Sequence, residues 1–274
     1  MLIVLFTALF SVNAVAGSQL LATGGVTQVE GSAGGGLVPW AVIAGYGDAN
    51  EYSSGAFTTQ VDLADFRLHS VGAYASWDNR WELSASQQRF TVKQTDVVLR
   101  QEVYGVKARI AGDVLYGPGP QWSLGVQYKR LLDDAVAQSL SADKTHADLD
   151  VYLAASQIHL AAFAGYNVMW NATLRASRAN QLGFLGYGGD EQQRHQSLLE
   201  VSALMLVRPD LAIGVEYRQK PDNLSAIKED DWYDVFVAWF PNKHVSVTAA
   251  WAHTGRIAGS DKQEGMYWSL ATFF

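Results

Sequence analysis

The last ten residues, GMYWSLATFF, constrain the fold more than any other stretch of this 274-residue chain. Met266, Trp268, Leu270 and Phe274 share one parity, which is the period of two that is typical of a β-strand. This face is apolar although it ends the chain, where most domains fray into polar residues. A terminal strand of this kind is expected only where its outer face contacts an apolar medium.

The other end of the chain indicates export. Residues 1–16, MLIVLFTALFSVNAVA, form an apolar run that closes on the small-x-small pattern Ala14-Val15-Ala16. The run is shorter than the roughly 20 apolar residues that a membrane helix needs. We therefore expect residues 1–16 to be a signal peptide and the mature chain to begin at Gly17, the alternative being a buried N-terminal helix.

The composition is unusual for a soluble domain. Charged residues make up 17% of the chain, against about 25% in an average domain. Aromatic residues are abundant, including nine tryptophans, and the chain contains no cysteine. A net charge of −7 argues against nucleic acid as a partner. An exported, aromatic-rich chain of this kind is typical of a barrel in the bacterial outer membrane.

Alternating segments recur from about residue 55 to the end, and a soluble β-sandwich would also alternate. Two features favour a membrane barrel: tryptophans such as Trp77, Trp81 and Trp122 lie at strand ends, and short connections alternate with long ones. The sequence predicts an all-β fold: a single-chain transmembrane antiparallel up-and-down β-barrel of about 12–14 strands over residues 17–274. Fourteen strands are favoured over twelve, since segments 20–30 and 41–47 join the wall together or not at all. The glycine-rich segment 31–36 leaves open a flexible entry segment or an inward plug.

Several long stretches resemble one protein family. They are GSQLLATGGVTQVEGSAGGGLVPWAVIAGYG, TLRASRANQLGFLGYGGD, EYRQKPDNL and DVFVAWFPNKHVSVTAAW. Together they resemble the domain of unknown function 3034 family of exported proteobacterial proteins. The resemblance implies an outer-membrane setting, with the lipid bilayer and lipopolysaccharide as surroundings, and carries over no functional residue.

The C-terminal tail is similar to the signal that the barrel-assembly machinery reads. Trp268, Leu270 and Phe274 are the residues that carry this similarity, while Thr272 stands where an aromatic residue is more usual. We therefore expect these three residues to act in assembly.

Charged and amide side chains recur on the inward parity of the predicted strands. The predicted lumen-lining residues are Glu82, Lys107, Arg109, Gln127, Lys129, Arg175, Glu200, Glu216, Arg218 and Asp234. Because a barrel of 12 to 14 strands lies between filled and open barrels, they predict a narrow porin-like channel for small solutes or ions. The alternative is a non-conducting structural or binding barrel with a salt-bridged lumen. We expect Arg175, Glu200, Glu216, Arg218 and Asp234 to form the constriction.

Catalytic and metal sites are weakly indicated. His244 and Ser246 stand two residues apart, as in a phospholipase-like pair, but lie beside a predicted periplasmic turn. His146, Asp148 and Asp150, and the acidic run 229–231, are expected to be solvated loop charges. The sequence therefore predicts no enzyme, no metal site and no cofactor, and it assigns neither a solute nor an oligomeric state.

Overall fold

The computed structural model describes Gly17, residues 19–143 and residues 145–274. The predicted signal peptide, residues 1–16, lies outside the described residues and stays a prediction. Two short strands, β1 (Val26–Thr27) and β2 (Ala33–Gly34), form a hairpin of their own. Twelve further strands in the described part of the chain close into one antiparallel barrel. These are β3 (Tyr52–Leu63), β4 (Phe66–Trp77), β5 (Trp81–Val92), β6 (Val97–Ala111), β7 (Gln121–Leu131), β8 (Ala147–Phe163), β9 (Tyr166–Ser177), β10 (Gln196–Arg208), β11 (Leu211–Arg218), β12 (Trp232–Asn242), β13 (Val245–Arg256) and β14 (Lys262–Phe273).

Alternation of side chains explains why these segments form a wall. In β12 the side chains of Tyr233, Val235, Val237 and Trp239 point outward and are exposed. Their neighbours along the strand point inward and are buried. Apolar side chains that face out are favourable only in lipid, so the wall has the surface of a transmembrane barrel. The predicted fold class is confirmed.

The C-terminal strand closes the barrel. Strand β14 pairs with β3, in a register that runs from Gly265 opposite Leu63 to Phe273 opposite Gly55. Every wall strand therefore has two neighbours, and the wall as described has no open sheet edge. Lipid requires this because it cannot hydrogen-bond a free edge.

The connections set the orientation. The connections at the end that holds the C-terminus include the three-residue turn 78–80. Asp78 and Asn79 have positive φ there, as a tight hairpin turn requires. Since short turns of such barrels face the periplasm, Gly17 and Phe274 lie there and the long connections are extracellular. The alternation is not strict, because the extracellular connection 64–65 has two residues and the periplasmic connection 112–120 has nine.

The structure corrects the preference for fourteen strands. Segments 20–30 and 41–47 do not join the wall, which closes without them when β14 pairs with β3. Every residue from 24 to 47 is instead buried inside the barrel. We call residues 24–47 the plug. A plug is covered on all sides, so its apolar residues resemble a wall strand in sequence.

The plug also explains the inward aromatic residue of the C-terminal tail. The ring of Phe273 lies 5.4 Å from that of Tyr46 in the plug and 5.8 Å from that of Tyr74 in β4, measured between centroids. Phe273 therefore packs against the plug, whereas Phe274 faces out. In the described residues the one α-helix is α1 (Ala135–Ser139), and no helix there is long and apolar enough to cross a membrane.

Candidate functional site

The lumen is occupied from both ends by the chain itself. The plug enters from the periplasmic side, and the connection 178–195 between β9 and β10 folds in from the extracellular side. We call this connection the lid loop, and its residues 179–189 are all buried. At the periplasmic side a cavity of about 260 Å³ remains between plug residues Val42 and Ile43 and the connection 112–120.

The first wall contact of the plug is an ionic one at Glu30. This carboxylate lies in the turn between β1 and β2 and is fully buried. It forms an ion pair with Lys129 of β7, and its Oε2 lies 2.8 Å from Arg218 Nη1 of β11. Arg175 Nη2 of β9 lies 3.9 Å from the same oxygen. Three cations from three strands therefore surround one plug carboxylate.

Two wall carboxylates complete this cluster. Glu200 Oε1 lies 2.6 Å from Arg175 Nε and 3.1 Å from Arg218 Nε. Asp150 Oδ2 lies 2.7 Å from Lys129 Nζ and 3.3 Å from Arg175 Nη1. We call Glu30, Lys129, Asp150, Arg175, Glu200 and Arg218 the Glu30 cluster. It holds three cations and three carboxylates, so its formal charge is balanced only while the plug supplies Glu30.

The second wall contact of the plug is an ion pair on neighbouring strands. Lys107 Nζ and Glu82 Oε2 are 3.0 Å apart, and each side chain is only 1% exposed. Glu82 accepts hydrogen bonds from the backbone N–H of Ala33, at 3.0 Å, and of Ala44, at 2.8 Å. Lys107 donates to the carbonyls of Ala33, at 3.0 Å, and Trp40, at 3.3 Å. This pair thus satisfies plug backbone groups that would otherwise be buried without partners.

The third wall contact of the plug is Glu216 of β11. It accepts hydrogen bonds from the N–H of Leu37 and from Ser202 Oγ, each at 2.7 Å. A Cβ on Gly35 would lie 1.9 Å from Glu216 Oε1, so a larger residue there would displace this carboxylate. Asp234 of β12 lies directly opposite Glu216, and neither of its carboxylate oxygens has a hydrogen-bond partner among the described residues.

The structure places the predicted lumen residues on the inner face of the wall. Nine of the ten are buried there, namely Glu82, Lys107, Gln127, Lys129, Arg175, Glu200, Glu216, Arg218 and Asp234. Arg109 has the inward parity but lies at the periplasmic end, 3.6 Å from Asp113 and partly exposed. The predicted constriction is divided: Arg175, Glu200 and Arg218 belong to the Glu30 cluster, whereas Glu216 and Asp234 belong to the third contact. Their role as pore lining stays a prediction.

Two members of the Glu30 cluster escaped the sequence analysis. Asp150 shares the inward parity of Tyr152 in β8, which could have identified it, but it was grouped with His146 and Asp148 as loop charge. In the structure Asp148 points instead to Arg178, 2.6 Å away. Strand parity did not identify Glu30 as a partner of these residues, because the sequence analysis assigned segment 20–30 to the wall.

The lid loop is held by a buried ion pair at the extracellular mouth. Lys220 Nζ and Glu229 Oε2, from the β11–β12 connection, are 2.6 Å apart. Glu229 accepts hydrogen bonds from the N–H of Gln181 at 2.9 and 3.1 Å, and Lys220 donates to Gln181 Oε1 at 2.5 Å. Burial raises the pKa of Glu229 and lowers that of Lys220, because each charge loses water. The pair thus fixes the lid loop over the lumen.

The weak catalytic and metal candidates have other contacts. His244 Nδ1 lies 3.0 Å from the carbonyl oxygen of Phe273, and Ser246 is buried on the inner face of β13. In the acidic run 229–231, Asp230 pairs with Arg256 at 2.8 Å, while Glu229 belongs to the lid contact. These residues therefore stabilise strand ends and loops.

The three residues of the predicted assembly signal face outward. Trp268, Leu270 and Phe274 are 51%, 45% and 56% exposed. The backbone of Phe274 exchanges hydrogen bonds with Ser54 at 2.7 and 2.9 Å, so the last residue belongs to the seam that closes the barrel. Recognition by the assembly machinery stays a prediction.

Solved structures with a similar fold are outer-membrane barrels. The KdgM porin in complex with disordered oligogalacturonate has a TM-score of 0.51 at 10% identity, over 80% of this chain and 99% of that one. The NanC porin has a TM-score of 0.51 at 8% identity, over 80% and 98%. The outer membrane protein Omp33 of Acinetobacter baumannii has a TM-score of 0.48 at 10% identity, over 83% and 100%. At these identities the likeness to the two porins with TM-scores of 0.51 concerns the fold alone.

At the level of sequence no curated protein matches this chain. One family model matches residues 23–271, which include the plug and all twelve wall strands nearly to their end. The chain therefore belongs to the family described as protein of unknown function, DUF3034.

Proposed function

We propose that this protein is a narrow outer-membrane channel for small solutes or ions, which its own plug closes in the conformation described above. The observation that carries the proposal is the Glu30 cluster. A plug carboxylate there completes a set of charges that the wall holds on its inner face. When the plug leaves, the same wall charges become the lining of a water-filled passage.

The energetics of buried ions make such a movement feasible. A buried ion pair contributes little net stability, because the cost of removing both ions from water offsets most of their attraction. Glu30 and its three cations are hydrated again when the plug leaves, so the free energy that their desolvation cost is recovered. A wall of twelve strands lies between the roughly eight that side chains fill and the 16 to 18 of open porins, so the vacated lumen is narrow.

A second candidate function is a non-conducting structural or binding barrel, and the apolar side of the plug favours it. Val26, Val29, Leu37 and Trp40 belong to one buried cluster with wall residues such as Phe57. Withdrawing the plug exposes this apolar surface, at about 25 cal/mol per Å². If that cost dominates, the plug is a permanent core.

We assign no enzymatic activity to the chain. In support, the two solved barrels above with TM-scores of 0.51 are described as porins, and the His244 ring contacts a backbone carbonyl rather than a nucleophile.

Electrical recording tests the proposal. Refolded mature protein in a planar bilayer is expected to show long closed periods interrupted by discrete openings, because the closed state is the one described. Liposomes carrying it should release small ions and monosaccharides and retain longer oligosaccharides. Protein denatured by heat is the control. Folded protein that never opens and releases nothing would contradict the channel and support the non-conducting barrel.

A further inference from the structure

At the extracellular end of the wall, basic side chains concentrate on the outer surface of four consecutive strands, although β13 and β14 also carry His253 and Lys262 there. Those of the four strands face outward within three residues of the extracellular ends of β4 to β7 and are all exposed: Arg67, His69, Arg89, Arg100 and Arg130. The matching outward positions of β8, β9, β10 and β12 carry Leu149, Leu174, Leu199 and Tyr233. The wall is therefore asymmetric at the height where the outer leaflet ends.

Arg89 of β5 lies at the centre of this patch. The register places it directly opposite Arg100 of β6 on one side and His69 of β4 on the other. Like charges in directly opposed positions destabilise a sheet unless an anion lies between them. The two basic neighbours therefore favour an anion beside the guanidinium of Arg89.

The other arginines of the patch form ion pairs with carboxylates of the protein itself. Arg100 donates two hydrogen bonds of 2.8 Å to the carboxylate of Asp133. Arg130 lies 2.8 Å from Glu102, and Arg67 lies 3.0 Å from Asp62. No described residue gives Arg89 a hydrogen bond or an ion pair. Its guanidinium offers a planar fork of N–H donors that suits a phosphate.

The depth of Arg89 indicates which phosphate reaches it. On β5 it lies eight residues, 81 to 89, beyond the outward-facing Trp81 of the periplasmic end. At about 3.3 Å per residue and a tilt of about 40°, this places it about 20 Å up an apolar band about 25 Å tall. That height is close to the outer-leaflet headgroups.

We propose that Arg89, flanked by Arg100 and His69, binds a phosphate of a phosphorylated glycolipid of the outer leaflet. The lipid phosphate would supply the negative charge between these basic side chains. Its acyl chains would lie along the outward apolar residues below. This site is on the outside of the wall, so it does not depend on whether the lumen conducts.

Lipid titration of the mature protein, refolded without lipopolysaccharide, tests the source of the phosphate. The probes are diphosphorylated lipid A, the same lipid without phosphates, and inorganic phosphate, with bound mass read by native mass spectrometry. We expect one tightly bound diphosphorylated lipid per barrel and binding at least about tenfold weaker without phosphates. Equal binding of the phosphate-free lipid, or displacement of the lipid by equimolar inorganic phosphate, would overturn the proposal.

Substitution tests the residue. Arg89→Gln is expected to weaken lipid A binding about tenfold or more, and Arg89→Lys less, because lysine keeps the charge and loses the fork. Arg208→Gln is the matched control, since Arg208 is exposed at the periplasmic end beside Asp210. Unheated migration in SDS gels checks folding of each variant. Unchanged binding by Arg89→Gln would refute the site, as would a parent oligomer that this variant dissociates, because a second copy would then cover the face.

Discussion

Deletion of the plug, residues 24–47, is expected to raise the current through the barrel, because the lid loop alone then covers the lumen. The wall closes through the pairing of β14 with β3, which begins at Tyr52, so removal of the plug leaves every wall strand in place. The vacated lumen is lined by the charges of the three plug contacts and fills with water. We expect the time-averaged current across a planar bilayer to rise about tenfold or more, since the wall of twelve strands is too wide for its own side chains to fill.

Folding of the deletion variant must be shown independently of its current. A closed barrel resists SDS until heated, because its hydrogen-bonded ladder has no edge at which to unravel. The variant should therefore migrate differently before and after boiling, as the parent does. A variant that folds by this criterion and remains as closed as the parent would show that the plug is not the barrier.

Glu30→Gln is expected to have the second largest effect. The substitution keeps the shape of the side chain and leaves three cations facing two carboxylates in the Glu30 cluster. Removing one partner of a buried ion pair costs about 3–5 kcal/mol, and each 1.4 kcal/mol changes a population about tenfold. Because this cost falls on the docked plug, the ratio of open to closed channel should rise about 100-fold or more.

The same variant should keep the ion preference of the parent. Glu30 leaves the lumen together with the plug, so the wall charges that line the open channel, and with them the reversal potential under a salt gradient, should be unchanged. Glu264→Gln is the matched control, because Glu264 faces outward from β14 and is exposed. An open fraction equal to that of the parent would refute the role of Glu30.

The wall could be predicted from sequence because each strand reports its own environment. In β12, Tyr233, Val235 and Val237 alternate with buried neighbours, and this local pattern identifies both the strand and its lipid face. The plug could not be recognised in this way. Its position depends on contacts distant in sequence, such as Leu37 with Glu216 and Ala33 with Glu82.

The parity of a residue along its strand predicts whether its side chain points inward, and this part of the candidate site could be predicted from sequence. Parity identified Lys107, Arg175 and Glu216 as inward residues, and the structure places them so. It could not supply their partners, because these are plug backbone groups and Glu30. Arg109 shows a second limit, since parity gives the face of a strand but not the height at which the side chain leaves the lumen.

Locking the plug to the wall tests most directly whether its movement opens the barrel. A Cβ at Gly31 would lie 3.6 Å from the Cβ of Ser86 in β5, within the range of about 3.5–4.5 Å that a disulfide requires. The chain contains no cysteine, so the paired variant Gly31→Cys with Ser86→Cys has one possible intramolecular disulfide. Gly31 has a φ of +108°, which disfavours a side chain in the docked plug and favours release once the bond is reduced.

The decisive measurement is the current of this paired variant in one bilayer, before and after reduction, with each single variant as a control. Our account predicts that the oxidised protein stays closed and that reduction restores openings at least as frequent as those of the parent. The single variants should not respond to the reductant. A current that is the same in both states, in protein whose disulfide is verified by mass, would contradict the claim that the plug is the gate.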